Sequence, residues 1–300
     1  MLKIAFNQNY IHPLDENHRF PMIKYELIPE QLLRENTCSS DNFFEPGIIS
    51  DEIVLKTHEQ EYFERFKNIK LSKKEIREIG FPLSKELVER EMVIAQGTIE
   101  CAHYSIKHGI SMNIAGGTHH AFYDRGEAFC MLNDQAIAAK YLINKKLAKK
   151  IMIIDLDVHQ GNGTASIFNE NPDVFTLSFH GKKNYPFKKE KSDLDFEFED
   201  GTSDYEYLSK LIEIIPDLIN KFKPDFIFYL SGVDVLKNDK LGRLSLSISG
   251  CKKRDEIIIS LCKERNIPIQ ISMGGGYSES IDEITLAHCN TYSTAKEIFF

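Results

Sequence analysis

Ile151-Met152-Ile153-Ile154-Asp155-Leu156-Asp157-Val158-His159-Gln160-Gly161-Asn162-Gly163 decides the reading of this chain. Its first half is continuously apolar and does not alternate. That is the character of a strand in a parallel sheet covered on both faces. We read the strand from Ile151 to Val158. Its end turns abruptly polar. Residues two apart in an extended chain share a side. Asp157 and His159 can therefore approach one ion together, with Asp155 further back on the same side. Burying two carboxylates together is costly unless a cation compensates. A lone Asp-x-Asp usually opens a turn. Three such residues at the end of an apolar run, followed by glycines, are hard to explain without a ligand.

Working outward, similar runs occur at Ser111 to Ala115, Val174 to Phe179, Phe226 to Leu230 and Ile267 to Met273, with a first strand near Met1 to Phe6. Amphipathic segments separate them. Ser84 is placed to cap a helix that Gly109 ends, and others span Asp134 to Lys146, Ser203 to Phe222 and Cys251 to Asn266. Pro216 predicts a kink in the third of these. Strand-helix alternation predicts an α/β fold built on a parallel sheet with helices on both faces. In such sheets ligands bind at the carboxyl ends of the strands. The ends here are Gly116-Gly117-Thr118-His119-His120, Asp155 to His159, Ser178-Phe179-His180, Ser231-Gly232-Val233-Asp234 and Gly274-Gly275-Gly276-Tyr277. Five endings rich in reactive side chains point to one shared site.

The bulk properties fit a globular chain. Of 300 residues, 42% are hydrophobic and 27% charged. No repeat, low-complexity tract or linker divides the sequence, so residues 1–300 are read as a single domain. The net charge of -8 gives no global basic field for nucleic acid. An acidic surface tolerates a basic partner such as a lysine-rich peptide. None of the six cysteines forms a C-x-x-C pair, and they read as reduced thiols of a cytoplasmic protein. No apolar run approaches the ~20 residues of a membrane helix.

Asp234, ending another apolar run, is a third candidate ligand beside Asp157 and His159. One histidine and two carboxylates leave an open coordination position, which is the arrangement of a catalytic metal and not of a closed structural one. His119 and His120 supply acid-base groups near neutral pH, and the preceding glycines allow a tight turn. Tyr277 supplies a phenol able to donate to an oxyanion. Each feature alone has a plain alternative: a capping aspartate, incidental histidines, a packing tyrosine.

Together, GGTHHAFYDRGEAFCMLND, DLDVHQGNGTA, SGVDVLKNDKLGRLSLS and MGGGYS resemble the histone deacetylase family, of the arginase-deacetylase fold, in the family's order. HRFPMIKY near the start and the spacing of His58 and Tyr62 extend the resemblance to nearly the whole chain. DLDVHQGNG and KLGRLSLS look most like the class IV branch and its bacterial relatives. The resemblance implies that Asp157, His159 and Asp234 hold zinc, with ferrous iron as the alternative. It makes His120 the general base and acid, His119 its charge-stabilising neighbour, Asp155 the carboxylate partner of His119, and Tyr277 the oxyanion stabiliser. Asn162 stands where class I relatives have an aspartate partner for the second histidine, which makes His120 less basic. Phe129 matches a wall of the substrate channel, Ala128 stands where class I relatives have glycine, and Gly275 belongs to the same channel. Arg19 is aligned with an arginine lining an internal cavity behind the metal. Asp155 and Ser178 match groups around a structural monovalent cation, usually potassium.

The implied activity is hydrolysis of the amide of an N-acyl-lysine. An arginase-like reading requires a second acidic ligand two residues beyond Asp234, where Leu236 stands and cannot ligate. An acetylpolyamine or other small-amide deacetylase on the same fold is the main alternative. A metal-binding partner protein without turnover is a third, disfavoured by intact His119, His120 and Tyr277.

Overall fold

Among the described residues, eight strands, each parallel to its neighbours, form one sheet in the order β2-β1-β3-β8-β7-β4-β5-β6. They are β1 (Lys3–Ala5), β2 (Phe43–Phe44), β3 (Ile110–Asn113), β4 (Ile151–Asp155), β5 (Val174–Gly181), β6 (Leu194–Phe198), β7 (Phe226–Leu230) and β8 (Ile269–Ser272). The computed structural model describes residues 1–15 and 18–300. Every residue of β3, β4, β7 and β8 is buried. These central strands are the continuously apolar runs of the sequence, because helices cover both of their faces.

The helices are α1 (Lys24–Arg34), α2 (Asp51–Val54), α3 (Gln60–Lys67), α4 (Lys73–Ile79), α5 (Lys85–His108), α6 (Asp134–Asn144), α7 (Asn162–Ile167), α8 (Asp204–Phe222), α9 (Ile248–Arg265) and α10 (Ile281–Phe299). One group packs α1 on α10, α10 on α9 and α9 on α8; the other packs α5 on α6, β3, β8 and β1. The long α5 has the expected ends. The Ser84 hydroxyl accepts from the Leu87 N–H at 3.2 Å, and Gly109 closes the helix at φ +91°.

Some boundaries differ from the sequence reading. β4 stops at Asp155, not Val158, because the carboxylate of Asp155 accepts from the Asp157 N–H at 3.1 Å and turns the chain there. α8 keeps its expected extent, Asp204–Phe222, with Pro216 inside it. α9 starts at Ile248, capped by Ser247, whose hydroxyl accepts from the Gly250 N–H at 2.9 Å. β2 and β6 lie at the two edges of the sheet and were not expected. β2 has two residues, too few for a pattern, and β6 alternates apolar with acidic side chains as an edge strand does.

Candidate active site

The loops after β3, β4, β7 and β8 carry the reactive residues, and these four strands are adjacent in the sheet. After β3, Gly116 and Gly117 turn the chain at φ +79° and +77°. Asp134 holds the turn: it accepts from the Gly117 and Thr118 N–H groups, each at 2.9 Å, and from the Thr118 hydroxyl at 2.8 Å. His58 and Tyr62 brace the rest of this loop. His58 Nδ1 donates to the Phe122 carbonyl at 2.8 Å and Nε2 accepts from the Asn133 N–H at 3.0 Å, while the Tyr62 hydroxyl donates to the Met131 carbonyl at 2.9 Å.

Asp157, His159 and Asp234 converge, with one potential ligand atom from each lying within 4.8 Å of the others. All three are buried. His159 Nδ1 is 3.0 Å from Asp157 Oδ1 and 3.1 Å from Asp234 Oδ2. Burial alone would lower the pKa of His159; its hydrogen bonds to the two carboxylates outweigh this and raise it to about 10. Burial, then the charge of Asp157, pushes Asp234 up to about 7. The centre thus attracts positive charge. Backbone secures the carboxylates: Gly275 N–H donates to Asp157 Oδ2 at 2.8 Å and Val158 N–H to Asp234 Oδ1 at 3.0 Å. A Cβ on Gly275 would come within 2.0 Å of Asp234 Oδ2, so only glycine lets β8's loop approach this closely. A buried, oxygen-rich set of this size suits a divalent cation. Leu236 is buried and bridges to Leu246, away from any ligand role.

The His119 and His120 rings are tilted against each other with centroids 4.0 Å apart, but they have different partners. His119 Nδ1 lies 2.6 Å from Asp155 Oδ2, and His120 Nδ1 lies 2.6 Å from Asn162 Oδ1. Burial opposes protonation of His119, yet the Asp155 carboxylate raises its pKa. His120 is driven well below the ordinary value, first by burial and then by the neighbouring His119 and His159. Asn162 Nδ2 faces the Glu127 carboxylate at 3.4 Å, and the Tyr185 hydroxyl donates to the same oxygen at 2.5 Å. A carboxylate only accepts, so the amide turns its NH2 to Glu127 and its oxygen to His120. His120 then carries its proton on Nδ1, and Nε2 keeps its lone pair.

Tyr277 is positioned by Asp239, whose carboxylate accepts from the Tyr277 N–H at 2.6 Å and from the N–H groups of Leu241 and Gly242, each at 2.8 Å. Its ring lies 6.3 Å from His159 and 6.0 Å from Phe129. Burial, then Asp234 and Asp157, keeps its hydroxyl protonated, well above the ordinary tyrosine value. Ala128 and Phe129 both have positive φ, +42° and +67°. Their N–H groups are fixed by the carbonyls of Glu78 at 2.9 Å and Ile79 at 2.6 Å. The left-handed φ of Ala128 is the physical reason glycine suits that position.

Two voids meet at this cluster and share His120, Ala128, Phe129, His159 and Tyr277. The outer one is the larger and opens to solvent; the inner one reaches Tyr25, Arg90 and Ile94. Arg19 is not in the inner cavity. It is exposed at the mouth, with its guanidinium 5.1 Å above the Phe129 ring, where the charge stays in solvent. Arg90 lines the interior, and Lys24 is fully buried with Nζ 3.3 Å from the Gly274 carbonyl. Burial lowers Lys24 to about 8, even with Asp234 and Asp157 nearby. Asp155 and Ser178 are cross-strand partners; the Ser178 hydroxyl is 2.9 Å from His180 Nδ1.

Sequence reasoning missed Arg254. It is fully buried on α9 and its Nη1 donates to the carbonyls of Leu156 at 3.1 Å and Gly232 at 2.6 Å. These belong to the two loops that carry the ligand set. Asp255 offsets its charge and accepts from the hydroxyls of Tyr229 at 2.5 Å and Thr291 at 2.6 Å. An adjacent Arg-Asp pair within an otherwise apolar helix face was the available signal.

A parallel-sheet α/β protein with a buried Asp-His-Asp centre beside two polarised histidines has the makings of a hydrolase. Comparison with known proteins agrees. The histone deacetylase domain model matches residues 15–292. An uncharacterised protein of Picosynechococcus is 37% identical over 296 residues, covering 99% of both chains. Histone deacetylase 2 of Arabidopsis thaliana is 29% identical, covering 89% of this chain and 71% of that one. The acetoin utilization protein AcuC of Staphylococcus aureus is 28% identical, covering 88% and 73%. The crystal structure of the HDA15 HD domain superposes with a TM-score of 0.81 at 18% identity, covering 96% of this chain and 89% of that one, and shares its fold. The chain belongs to the histone deacetylase family of hydrolases, and its fold is that of the arginase-deacetylase group.

Proposed function

We propose that this protein hydrolyses the amide bond of N-acyl-lysine, using a single divalent ion at Asp157, His159 and Asp234. Zinc is the ion we favour, with ferrous iron as the alternative. The observation that carries the reading is the pair of histidines beside this ligand set, His119 held at 2.6 Å by the Asp155 carboxylate and His120 at 2.6 Å by the Asn162 amide oxygen. When bound, such an ion polarises a carbonyl and acidifies water. His120, proton on Nδ1 and lone pair on Nε2, takes the proton from the attacking water. His119, held by Asp155, supplies positive charge next to it. The Tyr277 hydroxyl, kept protonated, donates to the developing oxyanion. A protonated histidine then gives its proton to the departing amine, so that it does not leave as an anion. Phe129, Ala128, Gly275 and Arg19 line the approach from the mouth inward.

Residues 1–300 are read as one catalytic domain, of the class IV branch and its bacterial relatives. A structural potassium ion beside Asp155 and Ser178 belongs to the same reading. A reducing, cytoplasmic setting is supported by six buried free cysteines, and no described helix is long and apolar enough to cross a membrane. The test is turnover of acyl-lysine peptides by purified protein, alongside elemental analysis. We expect one transition metal per chain and loss of turnover on chelation. Two manganese ions per chain, or turnover of acetylpolyamines alone, would refute the reading.

A further inference from the structure

The chain is acidic overall, with a net charge of -8, but the mouth of its site is not. Arg19, Lys183, Lys240 and Arg243 line the outer void, and the acidic residue among its lining residues is Glu78. All four cations are exposed. Glu78 faces a cation of its own, Lys74, at 3.7 Å. One carboxylate, Asp200, is shared by Arg243 at 3.2 Å and Lys183 at 3.6 Å, which leaves that trio with excess positive charge. Lys240 makes no ion pair among the described residues. Asp239, beside it, is half-buried and spends both oxygens on backbone N–H groups of Tyr277, Leu241 and Gly242.

The rim is also a built surface. Lys189 folds inward and donates to the carbonyls of Lys182 at 3.2 Å, Asn184 at 2.7 Å and Pro186 at 2.6 Å. This clamps the loop that presents Lys183 and Lys188 and leaves Phe187 90% exposed at the mouth. Phe187 thus shares the lining of the outer void with the four cations, where a bound chain would pass.

From this rim we infer that the enzyme selects acyl-lysines flanked by acidic residues, so that its substrate is an acidic protein segment and not a basic histone-like tail or a polyamine. The inference rests on the deacylase reading and names its substrate class. Once acylated, the target lysine is neutral, so the charge of its neighbours decides the field between chain and rim. Carboxylates flanking it meet Arg19, Lys183, Lys240 and Arg243; flanking lysines, or the free amines of a polyamine, meet repulsion. The local field thus reverses what the net charge suggests about partners.

The test uses three peptides with the same central acyl-lysine, flanked by glutamate and aspartate, by serine and glutamine, or by lysine and arginine. We expect kcat/KM to fall in that order, mainly through KM, with about a tenfold spread between the acidic and basic peptides, as expected of a few exposed ion pairs. The spread should shrink as salt rises. In the double variant Lys183→Glu/Lys240→Glu the order should invert. Because each ratio is taken within one preparation, partial misfolding of a variant cancels. Equal kcat/KM for the three peptides, or a ratio unmoved by charge reversal, would overturn the inference and leave the deacylase reading standing. No turnover of any of them would remove both.

Discussion

His120 Nδ1 lies 2.6 Å from an amide oxygen of Asn162, whereas its neighbour His119 makes the same 2.6 Å contact with a carboxylate, that of Asp155. Two neighbouring imidazoles, both buried, thus differ in the charge of the partner each one holds. The carboxylate favours a protonated ring; the amide brings no charge to offset burial and the neighbouring His119 and His159, which hold His120 below the ordinary histidine value.

Replacing the amide by a carboxylate should reverse that bias. In Asn162→Asp, His120 gains an anionic partner and its pKa rises. A general base works only when unprotonated, so the acidic limb of kcat/KM against pH should move to higher pH, by about a unit or more. The wild-type limb should lie below the usual histidine range. A profile unchanged by Asn162→Asp would show that His120 is not the titrating base.

Tyr277→Phe removes the hydroxyl and keeps the ring packed on Phe129 and Phe20. A donor to a charge that appears only in the transition state affects kcat more than KM. Loss of one such donor typically costs ~10²–10³ in kcat. Near-normal kcat in a folded, metal-loaded Tyr277→Phe protein would reduce the tyrosine to a packing residue.

Arg254 should matter for metal retention without touching the metal. Its Nη1 donates to both the Leu156 and Gly232 carbonyls while its Nε donates to Asp255, a spread that a lysine's single ammonium matches less well. Arg254→Lys should fold yet lose metal more readily, about tenfold or more in competition with a chelator. Arg254→Met strands Asp255 without its cation and should cost roughly 3–5 kcal/mol of stability. If Arg254→Lys held metal as tightly as wild type, the tie between the loops would be dispensable.

Acid should destabilise the fold through His58. Burial lowers its pKa from the ordinary 6.5 to about 4, and its Nε2 must stay unprotonated to accept from Asn133. The unfolded chain binds this proton below pH 6.5 and the folded chain does not until about pH 4. Stability is therefore fully present above pH 6.5 and falls as pH drops toward 4, by up to about 3 kcal/mol. Thermal melts between pH 7 and 5 should show this decline, with a shallower slope in His58→Gln. Equal slopes would mean that other groups carry the acid sensitivity.

The central strands were legible because burial on both faces leaves an unmistakable apolar run, and Asp155, Asp157, His159 and Asp234 were legible because a polar cluster ends each such run. Helices α1 to α4 were not expected. They are short or, like α1, carry an internal proline at Pro29, and they form by packing more than by pattern. Arg19 was assigned to the interior on alignment alone. Two cations near its segment, Lys24 and Arg90, are in fact buried, and no local rule distinguishes a buried lysine from an exposed arginine five residues away. The links from Glu127 to Asn162 and from Asp239 to Tyr277 join loops 35 and 38 residues apart, beyond any local pattern.

The last strand in the chain, β8, sits in the middle of the sheet, between β3 and β7. During synthesis β2-β1-β3 and β7-β4-β5-β6 emerge first and have no common border until Ile269–Ser272 slots between them. That insertion also delivers Gly275 to Asp157 and brings Tyr277 to the centre. A nascent chain thus carries both histidines and the whole ligand set while still lacking the strand that seals them together. A chain stopped short of β8 would therefore hold the reactive side chains without the strand that draws Gly275 and Tyr277 onto them.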